Sequence, residues 1–285
     1  MLMRFLDSYH LVPELPEVET IRRGLAKVLE GRKCRAVLVR RGDLRRPLPE
    51  KFGERVEHRV LNEVRRRAKY LLFYFEDKLV LLAHLGMSGR MILSGRSKPA
   101  LHDHVIFDFE GGVRLTFNDP RRFGLMELTE VDALNRHPLI SGLGPEPLGN
   151  GFNAQFLGAV LSGRRASIKG LLMDQKIVAG LGNIYACESL FLARLSPRRR
   201  GASVAGVRSE RLVWAIREVL SAAIAAGGSS LRDYVHADGT QGYFQHRFKV
   251  YGRADQACSS GELNHVVRRL VQSNRSTFYC PICQR

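Results

Sequence analysis

Pro13-Glu14-Leu15-Pro16-Glu17-Val18-Glu19-Thr20 opens a helical pattern that runs to Gly31. Pro16 suits a first helical turn, the glutamates lie near the positive end of the helix dipole, and Gly31 can terminate the helix. Behind this helix come short strand-like runs at 35–39, 70–75, 79–84, 104–109 and 113–117. Glu76-Asp77-Lys78 separates the second and third of these, and Glu110-Gly111-Gly112 joins the last two as a hairpin. One helix ahead of many short strands predicts an α+β multidomain fold that begins with a β-sandwich, its edge capped by the helix.

The same stretch raises a chemical question. With a free amine, Pro13 is a secondary amine that can attack an aldehyde-like sugar carbon and form an iminium, already charged without a further proton. Inside a peptide bond that nitrogen has neither donor nor nucleophilic capacity. The run reads as a processed N-terminus. Residues 1–11 have too few apolar positions, too often interrupted, for a signal-peptide core or a membrane span.

Composition points to a polyanionic partner. A net charge of +17 on 285 residues attracts nucleic acid and speeds encounter, with an affinity that falls steeply with salt. At 45% hydrophobic the chain can bury ordinary cores, and no apolar run approaches membrane length. Cys34 and Cys187 are isolated, whereas three of the five cysteines lie in the last 28 residues, which suggests a metal site and not a disulfide framework.

Gly144-Pro145-Glu146-Pro147-Leu148-Gly149 has linker chemistry. Beyond it the texture turns helical, over 154–161, 167–173, 184–193 and 210–226, and it changes again near Gly242. The expected division is a start-site extension at 1–12, a β-sandwich domain at 13–145, a helical domain at 146–241 and a small C-terminal hairpin at 242–285.

Five further blocks stand in order along the chain: Arg66-Arg67-Ala68-Lys69-Tyr70, His84-Leu85-Gly86-Met87-Ser88-Gly89, Asp119-Pro120-Arg121-Arg122-Phe123-Gly124, Gly180-Leu181-Gly182-Asn183-Ile184-Tyr185-Ala186 and Arg275-Ser276-Thr277-Phe278-Tyr279-Cys280. With the Pro13 stretch they resemble the formamidopyrimidine-DNA glycosylases, bacterial repair enzymes that remove oxidised purines, over residues 13–285. In that family the proline follows the initiator methionine, which is removed. Val12 occupies that slot here, and a valine codon of the GTG type can initiate with methionine.

The resemblance implies a bifunctional glycosylase and lyase of base excision repair. It acts on double-stranded DNA bearing 8-oxoguanine or a ring-opened purine, as a cytoplasmic monomer. It implies Pro13 as nucleophile and Glu14 as proton donor to the opening sugar ring, which requires a raised pKa from burial or from Glu17. Lys69 would reach the damaged nucleotide and its phosphate and assist β-elimination, and Arg275 would assist the second elimination. Met87, Arg121 and Phe123 would fill the void left by an extruded nucleotide, as flexible, guanidinium and aromatic wedges. His102 is implied as a DNA contact. Asn183 would bind a flanking phosphate beside a helix N-terminus, or else cap that helix. Arg164, Arg165 and Lys169 make a basic patch nearby.

The tail departs from the family pattern of two Cys-x-x-Cys knuckles. Cys280-Pro281-Ile282-Cys283 is intact, but the first knuckle reads Cys258-Ser259-Ser260-Gly261. His265 can supply the missing nitrogen, giving a Cys₃His zinc site with Cys258, Cys280 and Cys283. Two other readings stay open: an endonuclease VIII-like enzyme for oxidised pyrimidines, and a lesion-binding protein without catalysis whose Pro13 amine is sealed.

Overall fold

The computed structural model describes residues 12–95, 98–229, 243–260 and 265–285. Residues 1–11 of the expected extension at 1–12, the boundary near Gly242 and Gly261 of the broken knuckle lie outside the described residues.

In chain order the elements are α1 (Leu15–Leu29), β1 (Cys34–Val39), α2 (Phe52–Val56), β2 (Leu61–Arg67), β3 (Tyr70–Phe75), β4 (Leu79–His84), β5 (Arg90–Ser94), β6 (Asp103–Phe109), β7 (Arg114–Asn118), β8 (Leu125–Glu130), α3 (Val131–Leu134), α4 (Ala154–Leu161), α5 (Ile168–Leu172), α6 (Asn183–Leu192), α7 (Val207–Ala225), β9 (Arg268–Gln272) and β10 (Arg275–Tyr279).

Two antiparallel four-stranded sheets, ordered β1-β6-β7-β5 and β2-β3-β4-β8, form the sandwich. Their inner faces alternate in the expected way: Phe73 and Leu81 from one sheet meet Phe107 and Phe117 from the other. Helix α1 packs along β2, an edge strand, and sends Val18, Ile21, Leu25 and Leu29 into the same core. These positions recur every three or four residues, so one stripe of the helix is buried while its Arg22 and Arg23 remain outside, paired with Glu19. The turn between β3 and β4 is tight because Asp77 and Lys78 both take left-handed backbone angles, φ 56° and 58°, as a two-residue hairpin requires.

Helices α4 to α7 build a second core around Tyr185, Leu190, Leu212 and Ile216. The β9–β10 hairpin joins that core. Val250, Tyr251, Val267 and Phe278 belong to the same buried cluster, with the Tyr251 and Phe278 rings 5.1 Å apart. The hairpin is therefore bolted to the helices by apolar contact. Among the described residues no helix is long and apolar enough to cross a membrane.

Candidate active site

The start of α1 is held against the start of α6. Pro13 and Glu14 are both buried. The Leu15 N–H donates to the Gly180 carbonyl at 3.2 Å. Gly180 has φ +83°, and a Cβ there would press on Leu15 at 2.8 Å, so the loop before α6 needs glycine for both its backbone and the approach. Gln175 fixes this loop from behind: its amide accepts from Gly180 N–H at 2.7 Å and donates to the Leu181 carbonyl at 2.9 Å.

Close approach puts the Glu14 carboxylate at the N-terminus of α6, where Ile184 and Tyr185 N–H groups donate to it at 3.0 and 3.5 Å. The expectation that these helix amides face a phosphate is thus modified: a side chain of the protein already satisfies two of them. Burial pushes the Glu14 carboxyl up to about 7, opposed by the Lys69 charge, assisted by the Glu17 charge, and opposed again by the two amide bonds. Near neutral pH this acid is divided between its two forms.

Glu17 is the second buried carboxylate. It accepts from Glu14 N–H at 3.0 Å, from the Tyr185 hydroxyl at 2.5 Å, and from both the N–H and hydroxyl of Ser229 at 2.8 Å. Four donors from three chain segments keep a carboxylate satisfied in the interior. Burial and the Glu17 charge together hold the Tyr185 phenol well above its ordinary range.

Glu14, Lys69, Met87, Asn183 and Arg275 all line one cleft of about 870 Å³. Lys69 stands on the tight turn between β2 and β3, after Ala68 with φ +53°. That turn is clamped by Glu146 of the linker, which accepts from Arg66 at 2.7 Å, Arg67 at 2.9 Å and Ala68 N–H at 2.6 Å. Desolvation lowers the Lys69 pKa, the Glu14 charge opposes this, and Arg275 lowers it further.

Arg275 reaches the cleft from the hairpin beside the tip residues Ser273 and Asn274. Asn183 is the first residue of α6, not its cap, which is Gly182. Its amide donates to the Ser276 carbonyl at 2.9 Å, while its own carbonyl oxygen is buried without a partner. That leaves an acceptor beside the cleft.

Arg121 and Phe123 do not line the cleft. They occupy a neighbouring exposed loop, with the guanidinium 4.8 Å from the Phe123 ring centre. Asp119, fully buried, ties this loop to the Met87 turn. It accepts from the Ser88 hydroxyl at 2.5 Å and from Gly124 N–H at 2.8 Å, and Ser88 in turn accepts from Arg121 N–H at 3.2 Å. Any Cβ on Gly86, at φ +63°, would overlap the Phe123 backbone. Met87 and the Arg121–Phe123 tip are therefore one rigid unit. Arg122 between them has φ +57° and pairs with Asp43 at 3.0 Å. His102 lies at the base of the same loop, its carbonyl accepting from Asp119 N–H at 3.0 Å.

The basic patch resolves differently from its sequence reading. Arg164 and Arg165 are exposed between α4 and α5, whereas Lys169 is buried and donates to the Thr277 hydroxyl of the hairpin at 2.6 Å. Sequence reasoning passed over Arg45, His84 and Tyr251, all of which line the cleft. His84 stood inside a quoted block, ahead of Met87. Burial, then the charges of Lys69 and Arg45, bring its pKa down to about 4. Its Nδ1 accepts from Gly86 N–H at 2.9 Å, so the neutral ring carries its proton on Nε2.

At the far end of the hairpin the ligand atoms of Cys258, Cys280 and Cys283 lie within 4.8 Å of one another. The Cys258 and Cys283 sulfurs are 3.7 Å apart, and His265 Nδ1 is 3.4 Å from the Cys283 sulfur. Tetrahedral zinc with Zn–S of about 2.3 Å and Zn–N of about 2.0 Å demands edges of about 3.7 and 3.5 Å, so these residues fit a metal.

The chain matches the formamidopyrimidine-DNA glycosylase N-terminal domain over residues 12–126 and the H2TH domain of the same glycosylases over residues 143–235. It is 53% identical over 283 residues to the formamidopyrimidine-DNA glycosylase of Cereibacter sphaeroides, covering 96% of this chain and 100% of that protein. It is 52% identical over 293 residues to that of Azorhizobium caulinodans, with the same coverage. Among solved structures, the MutM (Fpg) protein of Thermus thermophilus superposes with a TM-score of 0.86 at 40% identity, over 95% of this chain and 98% of that one. Lactococcus lactis Fpg, in complex with DNA containing an abasic site, gives a TM-score of 0.88 at 32% identity, over 96% and 100%. The chain belongs to the formamidopyrimidine-DNA glycosylase family.

Proposed function

We propose that this protein is a DNA glycosylase and AP lyase of base excision repair that removes 8-oxoguanine and formamidopyrimidines from double-stranded DNA, working as a monomer in the cytoplasm with Pro13 as nucleophile. The observation that carries the reading is the convergence of Glu14, Lys69 and Arg275 on one cleft at the start of α1. Val12 lines that cleft too, so a chain beginning at Pro13 presents its amine directly to an extruded nucleotide.

The Pro13 nitrogen attacks C1′, and the bond to the damaged base breaks with the base as leaving group. Glu14 donates its proton to the ring oxygen, the C1′–O4′ bond opens, and an iminium links Pro13 to the sugar. Loss of a C2′ proton expels the 3′ phosphate, and a second elimination expels the 5′ phosphate. Lys69 and Arg275 stabilise those phosphates as they leave, and water then releases the iminium to restore the amine. Met87, Arg121 and Phe123 fill the vacated stack, with His102 and Asn183 gripping the backbone. Cys258, Cys280, Cys283 and His265 would hold zinc, which would supply a structural cross-link at the base of the hairpin.

Borohydride reduction tests this. Protein starting at Pro13 is expected to be trapped covalently on abasic or 8-oxoguanine duplex, and protein retaining residues 1–12 is not. Equal trapping of both would remove Pro13 as nucleophile and point to a lysine such as Lys69.

A further inference from the structure

Ion pairing satisfies many arginines of the sandwich and leaves a group in the helical part without carboxylates. In the sandwich, Arg22, Arg23, Arg35, Arg41, Arg46 and Arg59 all have carboxylate partners, as do Arg65, Arg66, Arg67, Arg114 and Arg122. In the helical part, Arg164, Arg165, Arg198, Arg200 and Arg208 have none among the described residues. Their charge is left unneutralised locally, and Arg198 and Arg200 line one concavity.

These arginines form one surface. The loop from Ser196 to Ser203 is laced to the segment before α5. Arg199 carbonyl accepts from Ile168 N–H at 2.7 Å, Gly201 N–H donates to Ala166 at 2.9 Å, and Ala202 N–H donates to Arg164 at 2.9 Å. The result is a shallow concavity of about 430 Å³ lined by Ser196, Arg198, Arg199, Arg200 and Ser203, three guanidinium groups and two hydroxyls with no acidic side chain.

The loop is also fixed relative to the cleft. The Pro197 carbonyl accepts from the Gln272 side chain at 3.2 Å, and Gln272 is the cross-strand partner of Arg275. A cross-strand pair spans about 5 Å and each chain step at most ~3.8 Å, which, with the Gln272 side chain, keeps Arg198 within about 20 Å of Arg275. Duplex rises about 34 Å per turn, so both arginines can meet one duplex within roughly half a turn of each other.

We propose that the Arg198–Arg200 loop, with Arg164 and Arg165, is a second phosphate-contact surface that grips the duplex on one flank of the lesion, outside the cleft. The proposal rests on the reading of the cleft as a DNA lesion site. Guanidinium groups and hydroxyls without a carboxylate suit phosphodiester oxygens and carry no means of reading bases. The surface sets affinity and its salt dependence, and leaves the chemical step to the cleft.

Arg199 bonds to the Arg285 carbonyl and to Ser203, so the test spares it and uses Arg198→Gln with Arg200→Gln. The probe is a duplex of about three helical turns with a central tetrahydrofuran abasic analogue. Binding is measured across a salt series for the protein starting at Pro13. The slope of log affinity against log salt is expected to become shallower by about 1.8, for two lost phosphate contacts. Arg198→Lys with Arg200→Lys is expected to retain the original slope. The rate constant for 8-oxoguanine excision at saturating enzyme is expected to stay that of the unmodified protein. An unchanged slope in the glutamine variant would overturn the proposal, as would an equal loss in the lysine variant, which would indicate packing and not charge. If the slope falls as expected while borohydride trapping fails, the surface stands and the lyase reading does not.

Discussion

The carboxylate of Glu14 and a side chain at position 182 exclude one another. A Cβ built on Gly182 would overlap the Glu14 carboxyl group, because that carboxyl sits on the first turn of α6. Glycine at 182 is thus a requirement of the acid, not of the helix, whose backbone there is extended.

Gly182→Ala is accordingly expected to fold and bind DNA but to excise 8-oxoguanine about 100-fold more slowly, the usual cost of a misplacement of about 1 Å in a reacting group. Single-turnover kinetics together with a melting curve check this. A loss of melting temperature as large as that of a core truncation would show that the glycine serves packing instead.

As the proposed proton donor, Glu14 must hold its proton, and its pKa is raised to about 7. The sign follows: Glu14 sets the alkaline limb, and excision falls as pH rises through that value, while protonation of the Pro13 amine sets the acid limb. Glu14→Gln is expected to lower excision by about 10²–10⁴ while sparing cleavage at a preformed abasic aldehyde more, since that substrate needs no ring protonation. Glu17→Gln removes a charge that raises the Glu14 pKa, so the alkaline limb should move to lower pH. A pH–rate profile that does not move would exclude electrostatic coupling between the two carboxyls.

Arg121→Ala and Phe123→Ala are expected to weaken base excision from duplex by about tenfold or more, with less effect on a preformed abasic site, because extrusion costs a few kcal/mol. Arg122 offers a control within the same loop. Its φ of +57° suits glycine, so Arg122→Gly removes the Asp43 pair without backbone strain, whereas Arg122→Ala keeps the strain. If positioning of the loop matters, the alanine variant should lose more excision than the glycine variant. A greater loss at the abasic site than at the damaged base would sink the wedge assignment.

Purified protein is expected to carry about one zinc per chain, and His265→Ala to lose it faster under mild chelation, since three thiolates leave the site more open. Loss of metal should displace Arg275 and impair DNA binding. It should not unfold the helical core, to which Tyr251 and Phe278 attach the hairpin independently of the cysteines. Equal zinc retention in both proteins would remove His265 as a ligand.

Much of this architecture was legible from periodicity and turn chemistry. Strands Tyr70–Phe75 and Leu79–His84 and helix Ala154–Leu161 fall where apolar runs and turn residues put them. Leu61–Arg67 was not read as a strand because Arg65, Arg66 and Arg67 look like a charge run. They are tolerated there because carboxylates from Glu63, Glu19 and Glu146 meet them. Helix α7 begins three residues before its apolar pattern does, at Val207, which is exposed. Arg45 and Tyr251, two cleft residues outside the quoted blocks, gave no local signal: their meaning lies in long-range packing. The burial of Lys169 is of the same kind, since only the fold brings Thr277 over it.

Glu14 belongs to one half of the protein and draws its dry surroundings and its two amide partners from the other. Its proton affinity is therefore a property of the seam, and it reports how tightly the halves are closed. Any loosening of α1 against α6 admits water, returns the carboxyl toward ordinary acidity and disarms it at neutral pH while both cores remain intact. Substitutions along that seam should accordingly announce themselves first as a displaced pH optimum, well before calorimetry registers a weaker fold.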